Sequence, residues 1–245
     1  MALKKPNAFR TPPSAEREFM RALKKVGMVS GHIVEQHVDG HQLKQSAEME
    51  RVLREYAKRL EPWARRQSMK MLEKVSKVNA RAYKANAKKM GKLLNEQVTE
   101  AETGRVAFEL MQEQVELIQS IPLDAANRAQ KLAFEAATGG RRASEVAEEL
   151  ARSTKVSESK ALLIARTETA RANAYITQAR AGAAGATGYI WRTTMDGAER
   201  ESHAKMNGKF VSYDNPPHLI DGTTGHAGTF PNCRCFQDPV FDDTE

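Results

Sequence analysis

The chain has 245 residues, 40% of them apolar, and a formal net charge of +7; that is enough apolar material for at least one buried core and argues against disorder throughout. No apolar run approaches the roughly 20 residues of a membrane span, residues 1–10 hold no stretch resembling a signal peptide, and two cysteines do not build a secreted disulfide framework. A soluble product of a reducing cytoplasm, with no membrane partner, is expected.

The charge is uneven, with 21 Lys+Arg against 9 Asp+Glu in residues 1–90 and 17 against 22 in residues 91–245. A basic half can attract DNA phosphates without reading sequence, or can be the solvated side of long helices. No aromatic ladder accompanies the positive charge, which speaks against specific nucleic-acid recognition.

Residues 1–13, with Pro6, Pro12 and Pro13, predict an extended arm whose order depends on a partner. Residues 14–140 predict a helical region, rich in Ala, Lys, Glu, Arg, Gln and Met, with a break over Gly27 to Gly40 and Pro62 placed to begin a new helix. Leu53, Tyr56, Leu60 and Trp63 lie on one helical face. The series Leu72, Val75, Asn79, Ala82, Asn86, Lys89, Leu93 keeps that rhythm with small and polar residues, as in a bundle helix that also keeps an exposed docking face. Further helices are predicted over 105–120, ending before Pro122, over 124–137, ending at Gly139-Gly140, and over 143–152.

The segment VSESKALLIARTETARANAYITQARAGAAG predicts one long helix, with Ser157 as N-cap and Gly182 or Gly185 at its end. Its stripe Leu162, Ala165, Thr169, Ala172, Ile176, Ala179 is narrow and mostly small, so a neighbour can approach closely, and Arg166, Glu168 and Arg171 flank it. The helices over 143–181 could be mistaken for a DNA-reading helix-turn-helix, but Glu158 and Glu168 interrupt the basic face of the second.

Past Gly188 the texture changes. GYIWRTT (188–194) predicts a strand, and Asp196 with Glu199 matches a capping box that opens a short helix over 197–206 containing His203, stopped by Asn207-Gly208. Residues 209–213 and 233–240 complete a three-stranded set around a Pro- and Gly-rich loop. The fold class is therefore α+β, a predominantly helical N-terminal body with a small C-terminal α+β module.

Both cysteines, Cys233 and Cys235, fall in HAGTFPNCRCF. On an extended strand their Cα atoms would stand about 6.6 Å apart, near the limit for a disulfide, whereas two thiolates aimed at one point suit tetrahedral zinc if two more ligands arrive. His203 and His226 are the natural candidates, with Asp196 and His218 behind them. Two other readings compete: a Cys–His nucleophile in which Asp196 orients His203, and cysteines that only pack against Trp191 and Phe236.

Taken together, IARTETARANAY (164–175), GYIWRTTMDGAERESHAKMNGKF (188–210) and FPNCRCF (230–236) resemble the Mu F-like family of phage minor head, or head morphogenesis, proteins. The elements of the resemblance are Arg166, Thr167 and Glu168 on a helix, Trp191 on a strand leading to Asp196, His203 followed by Gly208, and the closing Asn232, Cys233, Arg234, Cys235. It covers residues 141–245 as a module, from about Arg141 to Val240. It implies a non-enzymatic virion component present in few copies, associated with the portal protein and the procapsid interior; contacts of the first 140 residues with the portal protein, the major capsid or scaffold protein and, without sequence specificity, DNA are expected from their charge and helicity. The implied place is the capsid interior, and the host cytoplasm during assembly; the implied role is in head assembly and genome packaging or delivery. Some relatives carry toxin domains, which leaves a metal-dependent or thiol hydrolase as the alternative. The family pattern strengthens zinc as cofactor, with His226 the least supported of its ligands.

Overall fold

The computed structural model describes residues 9–39, 42–43, 46–87, 96–139 and 141–241. The elements in chain order are α1 (Pro13–Gln36), β1 (Val38–Asp39), β2 (Gln42–Leu43), α2 (Ser46–Ala87), α3 (Glu96–Ala137), α4 (Ala143–Leu150), α5 (Ser153–Ala183), β3 (Gly188–Arg192), α6 (Glu201–Ala204), β4 (Phe210–Ser212) and β5 (Phe236–Val240). A helical body with a small α+β module near the C-terminus is the observed class, as the composition indicated.

Several predicted boundaries move, each because packing outweighs a local signal. α1 does not break at Gly27: a Cβ there would stand 2.7 Å from the Ser157 carbonyl, and one at Gly31 would stand 2.1 Å from the Thr154 Cα. These glycines let two helix backbones approach, so they serve contact and not termination. Pro62 and Pro122 lie inside α2 and α3. A mid-helix proline costs about 3 kcal/mol, and the buried residues beside each, Leu60 and Ala64 in α2, Ile121 and Ala125 in α3, offset it. α5 begins at Ser153, one turn before Ser157. Its N-terminal Thr154 N–H donates to the Glu35 carboxylate at 2.9 Å, a cap that comes from α1.

The contacts divide the chain into two units, each assembled from separated stretches. The first takes residues 17–68 and 112–165; its core joins Val34 of α1, Met49 and Leu53 of α2, Ala126, Ala129 and Leu132 of α3, and Val146 and Leu150 of α4. The predicted stripe on α2 is thus buried at Leu53 and Leu60.

The second unit takes residues up to Glu16, 69–111 and 166–245. Its sheet has the order β4-β3-β5, with both pairings antiparallel. Pro239, which cannot donate to a ladder, sits in β5 at the edge. Leu72, Val75 and Asn79 of α2 are buried, and the polar Asn79 is matched by α5: it donates to the Thr177 hydroxyl at 2.7 Å and accepts from Arg180 at 2.9 Å. Lys89 and Leu93 of that series lie outside the described residues. Of the expected arm, residues 1–8 also lie outside them; Phe9 is buried against Tyr83, and its carbonyl accepts from Asn173. The small-residue stripe of α5 is buried at Ala165, Thr169, Ala172 and Ile176. α5 ends near Gly185, whose φ of +82° is the left-handed geometry that favours glycine at a helix C-terminus.

Within the module, the predicted helix over 197–206 shrinks to Glu201–Ala204. The acidic pair before it closes a turn and does not cap a helix: the Glu199 carboxylate accepts from the N–H groups of Asp196 (2.6 Å) and Gly197 (3.0 Å), while Asp196 accepts from Ala198. β5 begins at Phe236 and not at Cys233, so both cysteines lie on the loop that enters it.

Candidate metal centre

β3 places Trp191 at the middle of the sheet, fully buried, with its indole 5.5 Å from the His203 ring in an edge-on arrangement. Phe230 packs against the same ring at 4.9 Å from an adjoining side, 6.4 Å from the Trp191 indole. The His203 Nε2 is buried and finds no hydrogen-bonding partner, so packing against Trp191 and Phe230 orients the imidazole.

Its other nitrogen faces the thiols. Nδ1 lies 3.4 Å from the Cys233 Sγ and 3.5 Å from the Cys235 Sγ, and these donor atoms all lie within 4.8 Å of one another. Both cysteines are free and buried. An imidazole nitrogen carries one lone pair or one proton, so it cannot bond both sulfurs well. A cation between them would satisfy the set at once. Ligands at about 2.3 Å (S) and about 2.05 Å (N) from a tetrahedral zinc are about 3.6 Å apart, which the observed separations match. The Cys235 N–H points at the Cys233 Sγ at 3.4 Å, a donor suited to a thiolate.

The two thiols titrate as a pair. The hydrogen bond from Cys235 pulls Cys233 well below the ordinary thiol value, helped by His203, and the same bond with burial pushes Cys235 up.

The remaining sequence candidates divide clearly. His226 is not part of this group: its Nδ1 is 3.2 Å from the Tyr189 hydroxyl, and burial lowers its pKa. His218 contacts the Thr224 hydroxyl. Asp196 forms a two-pronged ion pair with Arg234, and so does not orient His203 as a nucleophile's base would require. Trp191 shares a core cluster with both cysteines, whereas Phe236 belongs to the cluster of Phe9 and Tyr83.

Arg166 and Thr167 of α5 hold the cysteine loop at Asn232. Asn232 adopts φ +56°; its side chain accepts from Arg166 at 2.8 Å and its N–H donates to the Thr167 hydroxyl at 2.9 Å. Arg166 also reaches Glu16, and the buried Glu168 accepts from Arg171. Gly208, at φ +84°, turns the chain after α6 so that its N–H donates to the Trp191 carbonyl at 2.8 Å.

Arg200 was not singled out by the sequence, and nothing in its spacing marks it; it donates to the Pro231 carbonyl at 2.9 Å and braces the same loop from the α6 side. A cavity of about 80 Å³ opens beside the three donors, lined also by Thr194, Glu199, Arg200 and Arg234.

A sequence profile of the family described as Phage Mu protein F like protein matches residues 127–237. Over those residues the chain is similar to this family. The match runs from within α3 to the start of β5 and includes every motif residue above. An uncharacterized protein of Haemophilus influenzae is 35% identical over 131 residues, which is 54% of this chain and 28% of that relative. The chain thus spans under a third of that relative's length. No solved structure matches the chain. Among the described residues, no helix is long and apolar enough to cross a membrane.

Proposed function

We propose that this chain is a phage head morphogenesis protein, a minor component of the virion that acts in head assembly and in genome packaging or delivery without catalysing a reaction. The family match over residues 127–237 carries this reading. The way the motif residues are used supports it: Arg166, Thr167, Asn232, Asp196, Arg234 and Gly208 hold turns and a loop in place. In this reading the portal protein and the major capsid or scaffold protein are its partners, the capsid interior is its place, and the basic N-terminal half lies against DNA phosphates. Zinc held by His203, Cys233 and Cys235 fastens the C-terminal module, since it would fix the last strand to α6.

Purified heads of a phage carrying the gene test the reading by mass spectrometry. The chain is expected in procapsids and mature heads, and deletion of the gene is expected to lower the yield of DNA-filled heads. Heads without the chain, together with an undiminished yield on deletion, would overturn it. The cavity beside a His/Cys/Cys donor set favours a second reading, a metal-dependent hydrolase carried in the virion. Phage yield unchanged by Cys233→Ser and His203→Ala, in a chain that binds no metal, excludes that one.

A further inference from the structure

The donor set raises a question that the zinc reading leaves open. Structural zinc sites close with four protein ligands, whereas sites that exchange a ligand have three. Among the described residues the group contains three donors, His203, Cys233 and Cys235. The carboxylate that lines the cavity is Glu199, and both of its oxygens are already engaged: one accepts from the Asp196 N–H at 2.6 Å, the other from the Gly197 N–H at 3.0 Å. Asp196 is committed to Arg234, and His226 to Tyr189. The cavity of about 80 Å³ reaches all three donors and has room for a small molecule. Arg200 and Arg234 line it with Glu199; Arg234 is matched by Asp196, whereas Arg200 donates to the neutral Pro231 carbonyl and so brings a cation that a small anion can meet.

We propose that a divalent metal on His203, Cys233 and Cys235 keeps its fourth coordination position turned to this cavity, where it exchanges water for a small anionic donor. The inference rests on the zinc reading above. Its chemistry is ligand exchange alone: one metal–oxygen bond to water breaks, one bond to the anion forms, and no electrons are transferred.

Cobalt(II) added to the full chain in place of zinc, followed by titration with azide, tests it by absorption spectroscopy. Because Cys233 and Cys235 are the chain's two cysteines, near-ultraviolet thiolate-to-cobalt absorption reports this site. The expected result is that this absorption persists while the visible cobalt bands shift saturably with azide. Visible bands that do not move, with the thiolate absorption present, overturn the open position and leave the zinc reading standing. Insensitivity in the native chain with sensitivity in Glu199→Gln would do the same, and would name Glu199 as the fourth ligand. Absence of thiolate-to-cobalt absorption removes the zinc reading itself.

Discussion

Asn232 offers a direct measure of what holds the cysteine loop. It adopts φ +56° without being glycine, and its side chain accepts from Arg166 while its N–H donates to Thr167. Replacing it with alanine removes the side-chain hydrogen bond and leaves a Cβ in the left-handed region without asparagine's tolerance of it. The backbone cost is about 1 kcal/mol, the low end for an L-residue there. The bond adds about 0.5 to 1 kcal/mol, because Asn232 and Arg166 are solvent-accessible and water replaces part of what is lost. Asn232→Ala should therefore destabilise by about 1.5 to 2 kcal/mol, or about 3 to 8 °C in the melting temperature of a chain this size. Asn232→Gly loses the same bond but adopts the φ without strain, so about half that shift is expected. Thermal melts of the native chain and both variants, followed by near-ultraviolet circular dichroism, to which Trp63 and Trp191 both contribute, measure the difference. If the alanine variant is as stable as the glycine variant, the left-handed turn is not what constrains this position, and the argument for how Cys233 is aimed fails.

Other outcomes follow from the same geometry. Chelation should lower the melting temperature: a metal at about 100 to 1,000 times its dissociation constant stabilises by about 2.7 to 4.1 kcal/mol, which corresponds to about 5 to 16 °C, and identical melts with and without chelator would contradict it. Gly208→Ala meets open space but needs φ +84°, so a loss of about 1 to 2 kcal/mol is expected from the backbone alone; an unchanged denaturation midpoint would show the turn to be relaxed. His226 has a pKa lowered by burial, so the unfolded chain binds its proton more readily. Its contribution to stability is present above the unfolded value of about 6.5 and is lost as the pH falls from there through the folded value. A pH series of melts should show this slope, and His226→Gln should flatten it. If the basic N-terminal half binds DNA, affinity must fall by orders of magnitude between about 50 and 200 mM salt, as a filter or anisotropy titration would register.

Much of the architecture can be read along the chain. The helix formers of residues 14–137, the strand at Tyr189 to Trp191, and the ordered set from Arg166 to Cys235 are local or motif properties, and a residue's own propensity carries them. The prolines misled for the same reason. Pro62 and Pro122 are strong local breakers, but burial on either side decides the outcome, and burial is not a local quantity. Gly27 and Gly31 read as a break because their use, backbone contact with a helix more than 120 residues away in sequence, leaves no mark in the spacing.

The candidate site divides along the same line. Residue chemistry alone identified Cys233 and Cys235 as a thiol pair too awkward for a disulfide, and put His203 among their companions. Only the tertiary structure selected His203 and set His226 apart, because a ligand set is a matter of distance between side chains 30 residues apart, and those distances depend on Trp191 and Phe230 packing against the imidazole from adjoining sides. It also showed that Asp196 belongs to Arg234, and that the cysteines reach the ring from a loop bent at Asn232 and not from a strand. A sequence specifies which groups are available; convergence on one point requires the left-handed turn, the buried aromatic walls and the Arg166 tether to form together.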